Sequence, residues 1–216
     1  MALNALIVVS HHRADSLTAH IGDVVAARLK EAGYEIDLLD LHAEGFDPRM
    51  TVEDQPDWND RDKAYSQETR RHQERIQAAD VIIPVFPVYW FSVPAVLKGW
   101  IDRVWGYGFA YGRSKPRLAG KRMLWLGLAG LEATDDLQPR MIETMRWQLN
   151  EGVSNYCGIA DSRLELLYDA EAQPQNIDDQ GNIVIGEALA GDARDRHYAA
   201  FDQGALDHVE RFLDLG

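Results

Sequence analysis

"PVFPVYWFSVPAVLKGWIDRVWGYGFAY", residues 84–111, decides the fold. It opens on an apolar run, closes that run with proline, and sets three large aromatics, Tyr89, Trp90 and Phe91, side by side. Consecutive residues of a strand face opposite ways, so three aromatics in a row cannot share one core. They therefore belong to a turn. Pro87 ends the strand because proline cannot donate to a ladder. Pro94 stands where the next helix begins and a missing N–H costs nothing. "VPAVLKGWIDRVW" (93–105) then repeats apolar residues at helical spacing.

The same unit recurs on either side. "ALIVVS" (5–10) is a continuous apolar run, as in a strand buried on both faces. The helical pattern "SLTAHIGDVVAARLKEAG" (16–33) follows and stops at Gly33. "YEIDLLDL" (34–41), "VIIPVFP" (81–87), "KRMLWLGLAG" (121–130) and "SRLELLYD" (162–169) supply four more strands. Helices are predicted within 137–158 and over 198–215. Strands alternating with helices imply a parallel sheet covered on both faces. The expectation is an α/β, flavodoxin-like, doubly wound five-stranded sheet in one domain, 1–216, with long polar loops near 43–70 and 170–196. Such sheets bind ligands beyond the carboxyl ends of their strands, where the strand order switches. That singles out the loops near 10–18, 87–93 and 127–136.

Composition narrows the function. The 216 residues carry a formal net charge of −13. Such a surface argues against nucleic acid and anionic membranes as partners. One cysteine, Cys157, excludes an internal disulfide framework and a cysteine-rich metal or iron–sulfur site. No apolar run approaches the ~20 residues of a membrane span, and the N-terminus lacks the pattern of a signal peptide. A cytoplasmic protein without membrane insertion is expected. No metal site is expected either, since the adjacent pair His11-His12 lacks a surrounding carboxylate–His motif.

Each singled-out loop has its own chemistry. "SHHRADSLT" leads into a helix capped by Asp15 or Ser16. Free N–H groups and a positive dipole end suit a phosphate there. His11, His12 and Arg13 add cationic or hydrogen-bonding groups, and Ser16 and Thr18 add hydroxyls. There is no glycine-rich fingerprint, so neither a Walker-type loop nor a dinucleotide Rossmann motif is present. A plain polar surface loop fits this stretch equally well. The aromatic turn suits the wall of a flat pocket for a planar cofactor, with backbone groups along its polar edge; a plug over the sheet is the simpler alternative. In "LGLAGLEATDD", Gly127 and Gly130 allow backbone to approach a ligand closely.

"FPVYWFSVPAVLKGWIDRVWGYGFAY" closely resembles the core motif of the NAD(P)H dehydrogenase (quinone) family of flavodoxin-like oxidoreductases. Weaker agreement extends through "SHHRADSLTAH", "FDPRMT" and "YCG", roughly residues 3 to 213. The resemblance implies a flavin, reduced by NAD(P)H and reoxidised by a quinone or related electrophile in a second step. It implies that His11, Ser16, Leu17 and Thr18 hold the flavin's phosphate region, where the charge of Arg13 is expected to help retain the cofactor. Pro87, Val88, Tyr89, Trp90 and Phe91 would line the isoalloxazine, and Gly127, Leu128, Ala129 and Gly130 would form the third loop. It implies a homodimer in which Trp90 and Phe91 border the substrate, while Tyr111 and Tyr156 close the pocket of the opposite subunit. Many relatives carry Thr-Thr-Gly-Gly where this chain has Gly127-Leu128-Ala129-Gly130. The Tyr and His that relay charge in the animal enzymes have no counterpart in "LEATDDLQPRM", so no catalytic residue is assigned.

FAD is expected over FMN, because the phosphate loop resembles FAD-binding relatives and the 170–198 segment could cover an adenine. The alternative function is a flavin-binding regulatory subunit of a potassium-efflux transporter. A hydrolase on the same fold lacks its nucleophile elbow. Trp58 and Tyr65, in the long loop, either reach over the pocket or pack locally.

Overall fold

The five expected strands form one parallel sheet. The computed structural model describes residues 2–133, 135–171, 173 and 175–215. The strands are β1 (Asn4–Val9), β2 (Glu35–Asp40), β3 (Val81–Pro87), β4 (Arg122–Leu128) and β5 (Asp161–Leu167), in the order β2-β1-β3-β4-β5. The chain winds outward from β1 to β2, then returns to β3 and winds the other way. The order therefore switches between β1 and β3, and the loops leaving their carboxyl ends part to form a crevice.

Alternation along each strand divides the core in two. Leu6, Val8, Ile82, Phe86 and Trp125 face α2 (Gln67–Ala78), α3 (Ala95–Val104) and α4 (Gln138–Arg146). Ala5, Ile7, Val9, Val85 and Leu126 face α1 (Leu17–Glu31) and α5 (Gly191–Leu213). Both sides of β1 and β3 are covered, which is why their sequences are unbroken apolar runs. No helix among the described residues is long and apolar enough to cross a membrane.

The structure adds three features to the sequence reading. First, α2 follows the long loop, capped by Ser66, whose Oγ accepts the Thr69 N–H. Only Thr69, His72 and Ile76 of this helix are buried. Second, α4 runs on without a break as a π-helical stretch, Trp147–Asn155, in which the Tyr156 N–H reaches Glu151 O at 3.2 Å. Buried Ser154 anchors it: Trp125 Nε1 donates to its Oγ at 3.0 Å. Third, the 170–196 segment contains a small antiparallel hairpin, β6 (Gln175–Ile177) and β7 (Ile183–Ile185), and α5 starts at Gly191 rather than 198.

The long 43–66 connection is fixed by a buried ion pair. Arg103 of α3, 2% exposed, donates to Asp54 at 2.8 Å and to Glu68 at 2.8 Å. Its other nitrogen donates to the Asp47 carbonyl. Burial opposes ionisation of Asp54, but Arg103 and the Ser66 amide and hydroxyl outweigh it and hold the carboxyl below its ordinary value. Such a pair contributes little net stability but holds one arrangement, because breaking it leaves a bare charge in the core.

Candidate active site

Three loops leave the sheet at its carboxyl edge and enclose a cavity of about 400 Å³. That volume lies within the range of small-molecule and cofactor sites. The loop after β1 supplies His11, Arg13, Ser16, Leu17 and Thr18, together with His12. The loop after β3 supplies Pro87, Val88 and Tyr89, and the one after β4 supplies Leu128 and Gly130. The sequence-assigned residues thus converge from three places in the chain.

Of the two caps considered, Ser16 is the one used: its Oγ accepts the Ala19 N–H at 3.1 Å. Asp15 is engaged elsewhere. Arg13 clasps it through Nε and a terminal nitrogen, both at 2.9 Å, and lowers its carboxyl from the ordinary range. Burial, with His12, Arg13 and His42 nearby, pushes the His11 imidazole below its ordinary value. His11 Nδ1 accepts the Arg13 N–H at 3.0 Å, so the neutral ring carries its proton on Nε2. The Ser10 hydroxyl, at the end of β1, is buried with no partner among the described residues.

The aromatic turn is strained. Tyr89 and Ser92 exchange N–H···O bonds of 3.0 Å, and between them Trp90 and Phe91 hold φ of 52° and 57°. Two consecutive left-handed residues make a type I′ turn, which favours Asn-Gly. Bulky side chains there cost about 1–2 kcal/mol each. Trp90 is 99% exposed. Neither Trp90 nor Phe91 lines the cavity itself; both stand on the turn that bounds it. Gly127 and Ala129 also lie outside the lining. Gly127 is inside β4, where a Cβ would strike Leu166 at 2.7 Å, and Ala129 is buried.

Tyr111 and Tyr156 lie elsewhere. Both belong to helix-to-strand connections, after α3 and after the π-helical stretch, so topology puts them toward the amino edge of the sheet. Their rings lie 5.8 Å apart, and Tyr107 is 5.8 Å from Tyr111. Trp58 packs against Tyr107 at 5.2 Å and Tyr65 donates its hydroxyl to Tyr107 O at 2.7 Å. The long loop's aromatics therefore pack locally and do not reach over the carboxyl-edge cavity.

Sequence reasoning expected the 170–198 segment to cover part of the ligand but named none of its residues. Ala188, Leu189, Arg194 and Tyr198 complete the cavity from the start of α5. Arg194 reaches Asp15 at 3.3 Å and the Tyr198 hydroxyl donates to Asp15 O at 3.0 Å. Basic Arg194 in an acidic segment was the available signal, but nothing in the sequence pairs it with a loop 180 positions away.

A model of the flavodoxin-like fold family matches residues 3–183. The chain is 38% identical over 166 residues to an uncharacterized NAD(P)H oxidoreductase, YcaK, of Escherichia coli (strain K12), covering 74% of this chain and 81% of the relative. It is 31% identical over 176 residues to the ribosyldihydronicotinamide dehydrogenase [quinone] of Mus musculus, covering 71% and 76%. Among solved structures, the NAD(P)H:quinone oxidoreductase from Methanothermobacter marburgensis superposes with a TM-score of 0.75 at 22% identity, over 95% of this chain and 96% of that one. The chain belongs to the flavodoxin-like NAD(P)H:quinone oxidoreductase family.

Proposed function

We propose that the protein is a flavin-dependent NAD(P)H oxidoreductase that reduces quinones or related flat electrophiles. One observation carries the reading: a helix N-terminus flanked by His11 and an aromatic turn meet at one cavity, at the switch in strand order. The residues fit a flavin. The N–H groups of Leu17 and Thr18 have no acceptor among the described residues, nor do those of Trp90, Phe91 and Gly130. They suit a phosphate at one end and the polar edge of a ring at the other. The names of the relatives point the same way.

When bound, a flavin would take a hydride from the nicotinamide donor and pass reducing equivalents to the acceptor. The chain's own part is to bind, orient and exclude water. His11 would donate from Nε2 to a phosphate oxygen. Arg13 would loosen from Asp15 to add positive charge. Pro87 to Phe91 would border the ring. Arg194 and Tyr198 extend the cavity past the phosphate loop, which supports FAD rather than FMN.

Tyr111 and Tyr156 lie toward the opposite edge of the sheet from Trp90 and Phe91. All four can border one substrate only if two copies each supply half, which supports a homodimer with a shared pocket. The packing of α5 on α1 and β5 supports reading 1–216 as one domain with two long connections.

The test is a visible spectrum of the purified protein with mass identification of the released flavin, then initial rates against a quinone panel. The reading expects a yellow protein, FAD and parallel double-reciprocal lines. A colourless protein that neither FAD nor FMN reconstitutes would sink it.

A further inference from the structure

A second cavity, of about 270 Å³, opens between residues 61–65, α2 and the 106–117 connection. We propose that it is a phosphate-monoester site that takes the 2′-phosphate end of the reduced dinucleotide and so selects NADPH over NADH. This rests on the functional reading above and supplies its donor specificity.

The first argument is charge. The chain holds 35 acidic and 22 basic side chains. Around this cavity the sign reverses. Arg61, Lys63, Arg70, Arg113 and Arg117 line it against only Asp62 and Glu74. Asp62 is taken by Arg113. Arg61, Lys63, Arg70 and Arg117 have no carboxylate within 4.0 Å among the described residues. Arg61 and Arg117 both lie close enough to Asp62 to help lower its carboxyl, after the larger effect of Arg113. Several guanidinium groups around one opening suit a dianionic phosphate, which accepts their paired N–H donors.

The second argument is rigidity. The wall is built by close backbone approach in "GYGFAYG" (106–112). A Cβ on Gly106 would lie 2.6 Å from the Tyr65 hydroxyl, and one on Gly108 would lie 1.9 Å from Arg61 O. Gly108 also holds φ of 83°. Only glycine allows the loop to press on residues 61–65 in this way. The cations therefore sit on a preformed frame, which reduces the ordering cost of binding.

The third argument is position. Tyr107 lines this cavity and also touches Tyr111, which touches Tyr156, in two ring-to-ring steps of 5.8 Å. Those tyrosines are the group that would close the partner subunit's flavin pocket. A nicotinamide stacked there leaves its adenosine end free to run along the tyrosines toward the arginines. A donor with a 2′-phosphate would be held at its far end, and one without it would not.

The test uses Arg61→Ala/Arg117→Ala, two exposed side chains with no partner to lose, in the flavin-loaded protein. KM for NADPH should rise at least tenfold, while KM for NADH and kcat with either donor stay within twofold. An unchanged ratio of the two KM values would overturn the proposal. Calorimetry with 2′,5′-ADP separates this failure from failure of the functional reading. The wild type should bind 2′,5′-ADP at least tenfold more tightly than it binds 5′-AMP, and more tightly than the double variant binds 2′,5′-ADP, whether or not either dinucleotide is oxidised. No binding by the wild type, equal affinity for the two nucleotides, or equal affinity in both proteins would each refute the site. A wild type that oxidises neither donor would refute the functional reading instead.

Discussion

Trp90 and Phe91 occupy backbone that glycine would hold more cheaply, and Trp90 does so with its side chain in solvent. Strain of this kind survives where the surrounding structure imposes it and is concentrated at functional sites. Trp90→Gly should therefore separate stability from activity. Relief of about 1–2 kcal/mol of left-handed strain opposes the ~0.5–1 kcal/mol entropic cost of glycine. Melting temperature should hold or rise, while kcat/KM for a quinone falls at least tenfold. A clear drop in melting temperature, read by circular dichroism, would show that the indole is structural. The sequence announces this turn through three adjacent aromatics between prolines. It does not announce the left-handed pair, because Trp-Phe is the reverse of what a type I′ turn prefers. The loop after β1 was legible for a simpler reason: its cap, histidines and hydroxyls are contiguous.

At the scale of elements, legibility follows burial. β1 and β3 are covered on both faces and read as unbroken apolar runs. α2 buries three of its residues, so its sequence "QETRRHQERIQA" has no apolar stripe to read. The early turns of α5 are polar for the same reason, so they read as the end of a long connection and not as a helix. Two consequences belong here. Arg194→Ala removes a cation from that wall, so reconstitution of the apoprotein should show FAD binding weakened more than FMN binding. Equal losses would place Arg194 outside the adenosine half of the site. Asp54→Ala leaves Arg103 in the core without its one buried counter-charge, at a cost of about 3–5 kcal/mol. Urea unfolding should give a lower midpoint with an unchanged slope. A near-neutral result would mean that the 43–66 connection is held by other contacts.

For the whole molecule, three histidines, His72 buried and His11 and His208 half-buried, make stability depend on pH. Burial is the leading cause of the depressed values at His11, His72 and His208. Each folded-state value lies below 6.5, the ordinary one, so the unfolded chain binds protons first as pH falls. Their contribution is complete above pH 6.5 and is lost as pH drops from there toward the lowered values. The depressed aspartates act in the same direction but only lower, below their ordinary 3.8. An opposing effect operates throughout: a chain of net charge −13 relieves self-repulsion as it takes up protons. The slope alone therefore cannot isolate the histidines, whereas a difference between variants can. His72 is the clean choice. It packs edge-on against Phe46 at 5.1 Å, its Nδ1 has no partner among the described residues, and it lies outside both cavities discussed above. His72→Leu replaces a buried imidazole by an apolar group of related size and removes one of the three protonations. Urea unfolding at pH 7.5 and 5.5 should show a smaller loss of stability on acidification in the variant than in the wild type, by up to about 1 kcal/mol. Identical losses in the two proteins would mean that His72 is already able to ionise in the folded state.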